Sequence, residues 1–173
     1  PKTREQYALA RRRLVFDEFI AFMASIRLLK ENRIRRENNF RISDFEIWKT
    51  IRSRLPYELT GAQDKVLEEL KTDFSGEFAS SRMIQGDVGS GKTIIAVMAL
   101  AVFAKAGFQG CIMAPTEILA EQHLVTFRDF LKEMPVRVEL LTGNVKGRRR
   151  QAVLDGLRSG EVHILIGTHA VIE

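Results

Sequence analysis

The chain has 173 residues, 45% of them apolar and 28% charged, with one cysteine and a net charge of +5. That length suits one domain with a smaller appendage, and no run approaches the ~18 consecutive apolar residues of a membrane-spanning helix. A lone cysteine excludes an intrachain disulfide; Cys111, in the apolar run Cys111-Ile112-Met113-Ala114, is expected to be a buried small side chain in a reducing, cytoplasmic setting. Charge is uneven: residues 1–58 hold 14 Lys/Arg against 8 Asp/Glu, and residues 59–173 hold 13 against 14. A basic excess confined to the first third fits a nucleic-acid partner, and equally a solvated basic helix face.

From residue 7 to 36 there is no Pro or Gly, and apolar residues recur at Leu9, Phe16, Phe19, Ile20, Met23, Ile26 and Leu29. That spacing predicts a long amphipathic helix with basic ends, Arg11-Arg12-Arg13 and Arg33, Arg35, Arg36. Ser43 followed by Glu46 predicts a capping box for a short helix through Trp48, closed by Leu55-Pro56, since the residue before proline leaves helical geometry. Thr60 and Gln63 have the same spacing at the head of a helix over 60–73. Strands are then expected at 82–85, 109–114, 136–141 and 162–167, alternating with helices over 91–106, 116–133 and 146–158. Such alternation implies parallel crossover units, hence an α/β fold with helices on both faces of a parallel sheet, preceded by a helical segment.

The strongest chemical signal is Gly86-Asp87-Val88-Gly89-Ser90-Gly91-Lys92-Thr93, which matches G-x-x-x-x-G-K-[ST] between a predicted strand and a predicted helix. Glycines let successive backbone N–H groups close around a phosphate, and the helix beginning there adds positive potential. Lys92 would reach the β- and γ-phosphates of ATP, and the Thr93 hydroxyl would bind Mg²⁺. Upstream, Leu59-Thr60-Gly61-Ala62-Gln63 offers an amide able to pair with adenine, although Gln63 serves equally well as the helix cap for Thr60. Downstream, Pro115-Thr116-Glu117, Thr142-Gly143 and Thr168-His169 each follow a predicted strand. Three such turns at the carboxyl ends of parallel strands lie where ligands bind in these sheets, and they suggest a track of phosphate contacts. His123, His163 and His169 lack the spacing of metal ligands.

In the order LTGAQ, QGDVGSGKT, MAPTEILAEQH, LLTGNVKG and IGTHAVI, these residues resemble the first motor lobe of superfamily-2 DNA helicases, and more narrowly the bacterial RecG family. The resemblance covers residues 55–173 and extends loosely to the helix at 7–36. It implies a RecA-like P-loop domain at 55–173, truncated, behind a helical linker at 1–54 that joins a DNA-wedge domain to the motor. It further implies that Gln63 reads adenine, that Gly86 to Thr93 hold ATP and Mg²⁺, and that Pro115, Thr116, Glu117, Thr142, Gly143, Thr168 and His169 face DNA. The activity implied is ATP-driven translocation by a monomer, cytoplasmic and nucleoid-associated, on branched DNA, with fork reversal and Holliday junction migration. A transcription-repair coupling or primosomal translocase, or a non-catalytic binding module, are the alternatives. No Asp-Glu pair ends an apolar strand after the phosphate loop, so the chain alone is expected to bind nucleotide weakly or not at all and not to turn it over.

Overall fold

The computed structural model describes residues 3–31 and 36–171, without the side chains of residues 29–31 and 170. The chain divides into two compact units, Pro1–Arg36 and Glu37–Glu173. Among the described residues no helix is long and apolar enough to cross a membrane.

The first unit is one helix, α1 (Arg4–Glu31). Its apolar residues, including Phe16, Phe19, Ile20, Met23 and Ile26, stay exposed, so the helix buries nothing within its own unit. The expected basic end at Arg33 and Arg35 lies outside the described residues.

The second unit is built on a three-stranded parallel sheet, β1 (Gly110–Met113), β2 (Val138–Leu141) and β3 (Ile164–Gly167), in the order β1-β3-β2. The helices are α2 (Glu46–Arg52), α3 (Gly61–Ser75), α4 (Lys92–Lys105), α5 (Glu117–Leu131) and α6 (Gly147–Arg158). Alternate residues of a strand point to opposite faces, and the core divides accordingly. Ile164, Ile166, Val138 and Leu140 pack with the apolar sides of α4 and α5, while Leu165 and Leu141 pack with Val145 and Val153 at α6. Helices therefore cover both faces, as a chain that leaves β1, crosses to the far edge and returns to the centre requires. Each fully buried side chain here, such as Phe127, Met98 or Ile164, contributes roughly 1.5–3 kcal/mol by leaving water.

Residues 37–54, read from sequence with the linker, pack into this body. Ile42, Ile47 and Ile51 are buried in the larger core, and the Trp48 indole Nε1 donates to the Met98 carbonyl of α4 at 2.8 Å.

Three local expectations need correction. The Ser43–Glu46 capping box does not form: α2 starts after Phe45 with no side-chain cap, because the Asp44 carboxylate takes the Glu46 N–H at 2.8 Å. Residues 82–85 form no strand, and Met83 is 87% exposed. A strand needs a neighbour for its N–H and C=O groups, and no described strand pairs with this run. Cys111 is exposed rather than buried: β1 lies at the sheet edge, and Cys111 and Met113 are exposed while Ile112 between them is half-buried.

Candidate nucleotide and nucleic-acid site

The segment Gly86 to Thr93 folds as a tight loop into the start of α4. Gly89 and Gly91 hold φ of 83° and 78°, a left-handed backbone that side chains resist. A Cβ on Gly86 would lie 2.6 Å from the Ser90 hydroxyl, so a larger residue there would make the Ser90 side chain move. The Lys92 ammonium sits inside the curl and donates to the Gly86 and Asp87 carbonyls, both at 2.7 Å. It thus stands where the loop surrounds its own centre, and a phosphate entering there would take over its hydrogen bonds. The first turn of α4 has no acidic residue and no side-chain cap, which leaves its amides for an anion. Val88 is fully exposed at the loop tip.

Thr93, half-buried, follows Lys92 on the helix. No group of three or more His, Cys, Asp or Glu able to hold a metal exists among the described residues. A single hydroxyl beside a phosphate loop suits Mg²⁺, which retains waters and takes most of its remaining ligands from phosphate oxygens.

Gln63 does both things the sequence left open between cap and contact, but within the protein. Its Oε1 accepts from Thr60 N at 2.8 Å and its backbone N donates to Thr60 Oγ1 at 3.3 Å, completing the capping box at the head of α3. Its Nε2 donates to the Ser90 carbonyl at 3.0 Å, and a Cβ on Gly91 would collide with this same amide. The side chain therefore ties α3 to the phosphate loop, and its amide keeps a second N–H and a second acceptor lone pair beyond these bonds. Beside this helix start a cleft of about 540 Å³ opens between Leu55, Tyr57, Leu59 and Asp64.

The three strand-end turns sit side by side. Met113 and Leu141 both pair with Gly167, so β1, β3 and β2 end at one level and their turns line one edge. Gly167 must be glycine, because a Cβ would overlap the Leu141 carbonyl oxygen. Thr116 caps α5 by accepting from Leu119 N, at 3.3 Å, and Pro115 and Thr116 are exposed. His169 is exposed and opens a 3₁₀ turn, His169–Val171, that periodicity did not predict. Helix α4 packs on β1 and reaches it through a short turn, so it runs antiparallel to the strand and its head, with the phosphate loop, lies toward this same edge.

Two members of the predicted track have other tasks. Thr142 is buried, leaving Gly143 and Asn144 as the exposed part of its turn. The Glu117 carboxylate accepts from Asn144 N at 3.2 Å and from Asn144 Nδ2, which locks the turn after β1 to the turn after β2. No local motif announces that contact, since the residues are 27 apart in sequence. His163 is also structural: its Nδ1 accepts from Arg137 N at 3.1 Å.

The DEAD/DEAH box helicase family model matches residues 60–173, from the Gln63 cap to the last strand-end turn. The chain belongs to the DEAD/DEAH box helicase family. Within it, the ATP-dependent DNA helicase RecG of Bacillus subtilis is 43% identical over 175 residues, covering all of this chain and 26% of that protein. The RecG of Aquifex aeolicus is 37% identical, covering 95% of this chain and 21% of the relative. A solved structure of RecG bound to a three-way DNA junction matches with a TM-score of 0.81 and 35% identity, over 99% of this chain and 24% of that one. The fold is thus the RecA-like helicase fold, with a helical segment ahead of it. This DEAD/DEAH box helicase chain spans about a quarter of the length of the relatives it matches.

Proposed function

We propose that this chain is the nucleotide-binding lobe of an ATP-dependent DNA helicase that acts on branched DNA such as forks and junctions. The observation that carries this reading is the shared edge: a phosphate loop filled by Lys92 and three exposed strand-end turns lie at the same end of one parallel sheet. The names of the relatives, and the junction bound in the matching structure, favour DNA over RNA and a branched substrate over a linear one.

Each residue then has a task. The amides from Gly86 to Gly91 and the Lys92 ammonium hold the β- and γ-phosphates, and binding exchanges the ammonium's carbonyl partners for phosphate oxygens. Thr93 supplies a protein oxygen to Mg²⁺, which neutralises developing phosphate charge when bound. Gln63 connects the base side of the nucleotide to the loop through Ser90. Thr116, Gly143, Thr168 and His169 meet the DNA backbone, and Glu117 keeps two of these turns in register. Helix α4 joins the phosphate loop directly to the body that carries the turns.

The test is forked-DNA unwinding by the protein that carries this chain, with and without Lys92→Ala. Loss of ATP-driven unwinding with retained folding is expected. Unwinding at the unsubstituted rate would contradict the assignment.

A further inference from the structure

One strongly charged patch is left unused by the site just described. Lys146, the residue that precedes α6, and Arg148 and Arg149 in its first turn stand exposed, shortly after the Gly143–Asn144 turn. Elsewhere in this unit Arg52, Arg54, Arg82, Arg128, Arg137 and Arg158 each hold a carboxylate. No carboxylate pairs with Lys146, Arg148 or Arg149 among the described residues, and the first turn of α6 contains no acidic side chain. Cations at a helix head oppose the helix dipole, so this arrangement is unfavourable for the folded chain by itself. Arg150, one step further round, is half-buried toward the packed face of α6 and is not part of the patch.

Direction matters as much as charge. Side chains lean toward the N-terminus of their helix. The head of α6 follows the carboxyl end of β2, so these three cations project toward the edge lined by the strand-end turns. Gly147, at φ 56°, holds the left-handed backbone that turns the chain from Lys146 into the helix.

We infer that Lys146, Arg148 and Arg149 form a phosphate-contacting extension of the DNA track, carrying a nucleic-acid backbone beyond Gly143 onto the head of α6. The inference rests on the proposed DNA reading and adds residues outside it. The partner is a polyanion with phosphates repeated along a backbone, since the patch directly continues the Gly143–Asn144 turn on the edge proposed to meet DNA. Their contribution is sequence-independent and acts through counterion release.

The experiment measures affinity for forked DNA against salt for the protein that carries this chain and for two variants, K146Q/R148Q/R149Q and R148K/R149K. Loss of three phosphate contacts lowers the slope of log affinity against log salt by about 2.7, so unsubstituted affinity falls roughly 40-fold further than the Gln variant's between 50 and 200 mM salt. The lysine variant keeps the charges and is expected to retain the original slope. The Gln variant's melting temperature is expected to stay level or rise, because the opposed charges are gone. An unchanged slope in the Gln variant, or a lowered melting temperature that marks the cations as structural, overturns the inference while leaving the DNA reading intact. Absence of salt-dependent DNA binding by the unsubstituted protein would instead overturn the reading beneath it.

Discussion

The Glu117–Asn144 clamp gives the sharpest prediction, because its strength can be isolated by a double-mutant cycle. Glu117→Ala removes a bond to Asn144 Nδ2, a bond to Asn144 N and the only acidic charge in the first turn of α5. Hydrogen bonds to a charged acceptor are worth about 1.5–3 kcal/mol when sheltered, but Asn144 is exposed and water competes for it. A total near 2 kcal/mol is expected for Glu117→Ala, with about 1 kcal/mol for Asn144→Ala, which keeps the backbone bond. The helix-dipole and backbone contributions are present in both arms of the cycle and cancel. What remains is the side-chain contact, a coupling of about 0.5–1.5 kcal/mol. Urea unfolding can be followed through Trp48, the sole tryptophan, which α2 buries against α4. If the single losses add to the double loss within about 0.3 kcal/mol, the two turns are not clamped and the reasoning fails.

Other substitutions test separate parts of the architecture. Gly167→Ala drives a methyl group into the Leu141 backbone and cannot be relieved without opening the β2–β3 ladder, so a loss of about 3 kcal/mol or more is expected in thermal melts. Near-native melting would show that the strands do not end at one level. Trp48→Phe removes the indole donor to Met98 and should cost about 1–2 kcal/mol by circular dichroism, through the lost bond and a smaller ring. No loss would mean that residues 37–54 are not anchored on α4.

Much of this was legible because it is local. The phosphate loop needs glycines at fixed offsets, and the Thr60–Gln63 box needs only two residues three apart, so both can be read without knowing the fold. The alternation of apolar strands with helices likewise gave the parallel sheet. Features that depend on distant partners were not legible. Residues 82–85 carry a strand-like pattern, yet pattern cannot supply the neighbour a strand requires. Ser43 and Glu46 have the right spacing, but Asp44 competes for the same N–H and wins by proximity. Cys111 sits in an apolar run whose exposure is decided by its place at the sheet edge. Strand-end position and the family resemblance both set Thr142 and Glu117 on the DNA-facing edge, but neither reveals that Thr142 is buried or that Glu117 holds Asn144. The stretch 37–54 looked separate because its helix is short and polar outside, and only its Ile47–Trp48–Ile51 face reveals the dock.

The central claim is that nucleotide and DNA are held at one edge of one sheet and are therefore energetically linked. The direct measurement is forked-DNA affinity with and without a non-hydrolysable ATP analogue, for the unsubstituted protein and for Lys92→Ala. Coupling between sites is typically about 1–3 kcal/mol, so the analogue should change DNA affinity roughly 5- to 150-fold, and Lys92→Ala should abolish the change while leaving nucleotide-free DNA affinity in place. DNA affinity indifferent to the analogue in the unsubstituted protein, or a response that survives Lys92→Ala, would contradict the account.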